Sequence, residues 1–223
     1  MSKTVAELKE EFDPLAKSAQ TLAFAPRGSE LQKEMCQRID AFLTDLSVAK
    51  AHAVGRCDED GANTALAMEL SLKVVQYELR MWIDLKSDAG ESAWDNLIEA
   101  QYHCIRAIDV REQLEGSGAA ARLENLLSKL LVLEKVVFPP QTFNSVGGRV
   151  IRRKCSICHR PYDECEHIKG HAYMGEMCAT HIEEMELEEI SIVTEPANKH
   201  CRITHFSDAP GKRNTMTWRT QAE

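Results

Sequence analysis

Residues 29–53, SELQKEMCQRIDAFLTDLSVAKAHA, decide the fold class. Leu31, Met35, Ile39, Phe42, Leu46, Ala49 and Ala53 recur at spacings of four and three, which places them on one stripe of a long helix. Ser29 followed by Gln32 reads as a capping box at its start.

The pattern continues outward in both directions, because residues 3–137 contain few helix breakers. A second stripe runs through Leu66, Leu70, Val74, Tyr77, Met81 and Leu85, after a turn at residues 58–61. A third holds Trp94, Leu97, Ile98, Ile105, Ile108 and Leu114 and stops at Gly116-Ser117-Gly118. A fourth carries Leu123, Leu126, Leu127, Leu130, Leu131 and Val132 and ends before Pro139-Pro140. Counting the segment before residue 29, five helices joined by short turns predict an antiparallel bundle over residues 1–138. Its surface is acidic, with 16 Lys and Arg against 23 Asp and Glu in residues 1–140.

The remaining chain is different. Five of the eight cysteines and six of the eight histidines fall after residue 150. Residues 139–154, with Pro-Pro, Asn-Ser and Gly-Gly, read as a linker and lead-in strand, and residues 155–223 as a zinc-stapled α+β module; the fold class is mainly α. Within the module, residues 176–189 read as an acidic helix and 190–193 as a strand. Residues 200–206 and 214–219 read as two more strands across a turn at 208–212.

The chemistry concentrates in CSICHRPYDECEH, residues 155–167. Two cysteines separated by two residues wrap one tetrahedral ion from a tight turn, and Cys165 and His167 share a face when extended. Cys155, Cys158, Cys165 and His167 are therefore the expected ligands of a structural zinc ion. A rival set takes Cys178 and His181 from the first turn of the acidic helix; a site mixing Cys178 with three of the first set, or two ions, stays open, and His171 is a further candidate.

Other readings of the same letters are weaker. Cys155-Ser-Ile-Cys158-His159 fits haem attachment, but the start MSKTVAELKEEFD is no export signal. A redox CxxC calls for a βαβ setting, which the helical first half does not provide. His167 and His171 have zincin spacing with Ile168 in place of the base. The zinc deaminase signature is absent. Cys36, Cys57, Cys104, His52 and His103 are scattered singly over the helices and read as packing or solvated residues. Four protein ligands leave no open position for water, so the zinc reads as a staple. A module of about 75 residues has a marginal core, so zinc loss is expected to unfold that half and spare the bundle.

Net charge −8 argues against a general nucleic-acid binder. The basic cluster Arg149, Arg152, Arg153 and Lys154 keeps a nucleic-acid patch open as an alternative, against a solvated strand face or a partner for the acidic bundle. No apolar run is long enough for a membrane span, so a cytoplasmic protein with reduced cysteines is expected.

Residues 150–203 resemble zinc-binding segments of tailed-phage head proteins related to prohead maturation proteases. The resemblance is carried by CSICHRPYDECEHIKGHAYMGEMC, by Glu189-Ile190-Ser191-Ile192-Val193 and by Pro196-Ala197-Asn198. It implies a phage or mobile-element setting. It also implies a protease alternative with Ser191 as nucleophile and His167 or His171 as base, although that family's β-rich domain is replaced here by helices. The expected function is a non-enzymatic zinc-binding structural or interaction protein, with the bundle serving oligomerisation or a protein partner.

Overall fold

The computed structural model describes residues 3–208 and 211–221. Five helices come first: α1 (Val5–Leu22), α2 (Ser29–Gly55), α3 (Glu59–Lys86), α4 (Gly90–Glu115) and α5 (Ala121–Val137). Helix α3 packs on α1, α2 and α4, and α5 packs on α4. The protein is mainly α, with an antiparallel bundle followed by a small strand region.

Helix α1 starts on a reciprocal capping box of Thr4 and Glu7. The expected box at Ser29 is not formed. Gly28 is the N-cap, without a side-chain bond. Gln32 is instead fully buried, and its amide donates to the carbonyls of Leu22 (2.9 Å) and Phe24 (3.1 Å). Those two carbonyls end α1 and its turn, and satisfying them inside the α1–α2 corner outweighs a cap at the surface.

The strands are β1 (Phe143–Cys155), β2 (Ala172–Tyr173), β3 (Glu176–Met177), β4 (Thr180–Val193), β5 (His205–Asp208), β6 (Gly211–Asn214) and β7 (Thr220–Gln221). Antiparallel β1 and β4 form a long two-stranded ribbon, β2 and β3 a short hairpin, and β5, β6 and β7 a small sheet.

Residues 176–189 are therefore extended chain, strand at 176–177 and 180–189, not the expected helix. Glutamates give that run helical propensity, but its apolar residues line one face when paired with β1, and three of its carboxylates meet β1 cations. Tertiary pairing overrides local preference. The last hairpin is also tighter than expected. His205 pairs with Asn214 and Ser207 with Lys212, so strand β6 ends at residue 214 instead of starting there, and residues 209–210 lie outside the described residues. Asn214 ends β6 because its side-chain oxygen accepts the N–H groups of Met216 (2.8 Å) and Thr217 (2.9 Å).

The apolar core has three parts. The first joins α1, α2 and α3. The second centres on Trp94 and includes Phe138, Phe143, Met216 and Val193 alongside α3, α4 and α5. The third joins α3 and α4 through Leu66, Leu70, Ala107 and Val110 and is completed by Ala172 and Met177. Residues beyond 140 thus fill gaps in the helical core.

His103 sits in this core, stacked on Tyr77 at 5.3 Å, with Nδ1 buried and unpartnered among the described residues. Its Nε2 lies 3.6 Å from Glu99. Burial, followed by the charges of Lys73 and Arg106, pushes its pKa down from 6.5 to about 4. Above pH 6.5 the ring is neutral in both states and costs nothing. As pH falls toward 4 the unfolded chain takes the proton first, so stability drops by roughly 3 kcal/mol in total. Urea midpoints measured from pH 7 to pH 4 should fall less steeply in His103→Gln than in the native protein, and parallel curves would refute this.

The scattered thiols of the bundle are packing groups where they are buried. Burial raises the pKa of Cys36, and pushes that of Cys104 up to about 12. Cys57 is exposed.

Candidate metal centre

The far end of the β1–β4 ribbon carries the cluster. Strand β1 delivers Cys155, and the next residues fold back so that His159 N–H donates to the Cys155 carbonyl (3.0 Å) and Cys155 N–H to that of Arg160 (3.0 Å). This turn brings Cys158 beside Cys155. A 3-10 turn at Tyr162–Glu164 then delivers Cys165, and extended chain delivers His167.

Two tyrosines hold the second half. The hydroxyl of Tyr173 accepts the Ile168 N–H (2.9 Å) and that of Tyr162 accepts the Lys169 N–H (3.0 Å). The His167 ring stands edge-on to Tyr173 at 4.6 Å. The ligand atoms of Cys155, Cys158, Cys165 and His167 all lie within 4.8 Å of one another, and these four residues can hold a metal ion.

The donor set suits a soft tetrahedral cation. Bonds of about 2.3 Å to sulfur give a tetrahedron with edges of about 3.8 Å, and Cys165 Sγ already lies 3.5 Å from His167 Nδ1. Backbone N–H groups support the sulfurs: Ile157 donates to Cys155 Sγ (3.3 Å) and His167 to Cys165 Sγ (3.2 Å). Burial works against the Cys155 thiolate, but the amides of Cys158 and Ile157, with the thiols of Cys165 and Cys178, outweigh it and lower the pKa to about 7. The Arg160 amide chiefly lowers that of Cys158. Burial raises those of Cys165 and Cys178, the latter to about 11. Thiols crowded in this way do not all ionise without a cation among them.

Cys178 Sγ lies 3.7 Å from Cys155 Sγ but outside the mutually close four. The rival pairing of Cys178 with His181 has lost its basis, because the helix it required is extended chain. Three extended residues separate the two by about 10 Å. His181 sits opposite Lys154 in the ribbon. His171 binds Cys178 through the backbone, its carbonyl accepting the Cys178 N–H (2.8 Å). Its neighbours in a surface hollow are Asp109, Glu112 and Gln113. The other histidines stand elsewhere: His159 is exposed, His200 lies 3.0 Å from Glu99, and His205 bonds Thr204.

The knuckle is bolted to the bundle by two residues that sequence reasoning missed. Gln113 accepts the Ala172 N–H (2.6 Å) and donates to the Ala172 carbonyl (2.9 Å). Buried Asn63 accepts the Gly175 N–H (2.8 Å) and donates to the Ala172 carbonyl (3.4 Å). Gly175 lies in the left-handed region at φ +79°, where a Cβ would also press on Lys50 and the Ala62 carbonyl at 3.1–3.2 Å. Asn63 and Gln113 are ordinary helix letters in the sequence, and only the tertiary fold gives them partners.

The basic cluster is spent within the module. Arg149 pairs with Glu186 (2.7 Å), Arg152 with Glu184 (3.0 Å), Arg153 with Asp163 (2.6 Å) and Lys154 with Glu183 (2.7 Å). Its partners are β4 and the knuckle, not the bundle. Ser191 pairs with Ser145 near the opposite end of β4, about 35 Å from the Thr180 end at the usual strand rise, so it has no access to His167.

Among the described residues no helix is long and apolar enough to cross a membrane. Comparisons of the chain with protein-family models, with curated proteins and with solved structures find no match.

Proposed function

We propose that this is a non-enzymatic structural and interaction protein, in which a zinc ion on Cys155, Cys158, Cys165 and His167 staples the β1–β4 ribbon and its knuckle into one shape. The observation that carries this reading is the closed donor set of three thiols and one imidazole within 4.8 Å. Thiolate and imidazole ligands favour zinc over hard cations, and four protein ligands leave no coordination position for a substrate. The knuckle is also anchored to the bundle through Ala172 and Gly175.

The setting we infer is a reducing cytoplasm, with a phage or mobile-element assembly as the context. All eight cysteines are free thiols, which suits that compartment. The phage context rests on the resemblance of residues 150–203; it is supported by the extended chain at 189–193 followed by the break near Pro196.

The test is metal analysis of the full chain purified without chelator. One zinc per chain is expected, lost in Cys158→Ser and in Cys165→Ser and retained in Cys178→Ser. A metal-free native protein, or zinc that survives Cys158→Ser but not Cys178→Ser, would overturn the assignment.

A further inference from the structure

The β1–β4 ribbon gathers most of its charges on one face and most of its apolar side chains on the other. Residues paired across antiparallel strands share a face. One face runs from Phe143–Val193, packed in the Trp94 cluster, through Ser145–Ser191 to the ion pairs Arg149–Glu186 and Arg152–Glu184. The other face carries Ile192 opposite Asn144, Val146 opposite Ile190, Leu187 opposite Gly148, Val150 opposite Met185, and at the knuckle end Ile182 opposite Arg153, whose guanidinium pairs with Asp163. Register shifts leave Glu188, Ile151 and Glu183 unpaired, and these single-residue bulges keep the two faces in phase.

The apolar face points away from the bundle into solvent. Ile190 is 72% exposed, Ile192 70%, Leu187 68%, Ile182 56% and Val146 54%. With Val150 these side chains present roughly 600 Å² of contiguous surface, at the upper end of the largest patch on an ordinary monomer. An isolated two-stranded ribbon is marginal in water, and a layer packed on its apolar face is what it lacks.

We propose that this face is the contact between two copies of the chain, packed ribbon on ribbon about a two-fold axis. Two such patches would bury about 1,200 Å² together, which reaches the range of specific interfaces. The patch can meet itself, since one identical apolar surface on each copy is what a two-fold contact requires. A chain of net charge −8 repels its copy in general, but here the ribbon's cations and carboxylates neutralise each other on the opposite face. Addition at a strand edge is disfavoured, because the bulges interrupt the regular ladder that edge pairing needs. The contact is separate from the bundle surface. It rests on the reading of this chain as an association protein, and it supplies the partner.

Sedimentation and light scattering of the zinc-replete full chain test it. A dimer is expected for the native protein. Leu187→Lys with Ile190→Lys should weaken it on the order of 100-fold or more, because four unpaired charges would be buried in the pair. Zinc content and helical circular dichroism should stay unchanged in that variant, and Glu189→Lys on the charged face should leave the dimer intact. A native monomer up to about 100 µM, far above the micromolar weak end for interfaces of this size, would overturn the proposal and assign the face to a different partner. Association that survives the lysine pair would overturn it as well. A lysine-sensitive dimer without bound zinc would sink the zinc reading alone, and a zinc-bound monomer would sink self-association alone.

Discussion

Chelating the metal should abolish amide protection across residues 156–181 while α1, α2 and the β5–β7 sheet keep theirs. Without the ion, the knuckle is held by the bonds of Ala172 and Gly175 to Gln113 and Asn63, by Met177 against Arg106, and by little apolar surface. Those bonds contribute a few kcal/mol at about 1 kcal/mol each. A structural zinc site of this type supplies on the order of 10 kcal/mol or more. Removing such an ion would take away more than any one of those bonds contributes. Hydrogen exchange with and without chelator reads the result, and unchanged protection of residues 156–181 after verified metal loss would refute it.

The predicted melting is narrower than the whole second half. The base of the ribbon is tied to the bundle through Phe143 and Val193, and the C-terminal sheet through Met216. Arg202 adds a polar tie, donating to Gln141 (3.2 Å) and Thr215 (3.1 Å). None of these contacts passes through the knuckle. Exchange should therefore increase in a gradient down the ribbon, from the Cys155 end toward Phe143.

How much of this could be read from the letters depends on the range of the forces involved. The α2 stripe is a local, periodic signal, and Met35, Ile39, Phe42, Leu46, Ala49 and Ala53 are all buried; Leu31 is half exposed because the stripe begins one turn later. Helix α3 buries residues around most of its circumference, since neighbours flank it on several sides, and a single stripe understates that. In α5 only Leu130 is fully buried, while Val132 stays exposed. That helix packs mainly on α4, with Lys129 reaching buried Glu78 of α3 and Leu126 touching the first core. The four residues that lie close enough to hold a metal ion were legible as a group because tight turns bring close-spaced side chains together. The acidic strand was not, because its partner β1 lies some 40 residues away and supplies the cations that make extended glutamates favourable. Asn63 and Gln113 were invisible for the same reason, as each meets the knuckle only across a long stretch of chain.

Trp94→Ala is expected to cost about 3–5 kcal/mol, the usual range for emptying a large aromatic site in a packed core. The side chain is 1% exposed and stands edge-on to Phe138 at 5.4 Å and tilted against Phe143 at 6.1 Å. The guanidinium of Arg202 lies 6.0 Å over the ring, and burial already lowers the pKa of that arginine, with Glu91 and Asp95 opposing. Losing the indole removes both apolar surface and the face on which this nearly buried cation rests. The indole Nε1 is buried without a partner among the described residues, so no hydrogen bond is forfeited. Trp94→Phe should therefore cost much less than Trp94→Ala, about 1–2 kcal/mol for the lost volume. Because Trp94 touches elements on both sides of residue 140, its loss should couple to theirs. A double-mutant cycle with Phe143→Ala, read from denaturant midpoints, should give an interaction energy of about 0.5–3 kcal/mol. Strict additivity would mean that the ribbon base and the bundle are energetically independent at this contact.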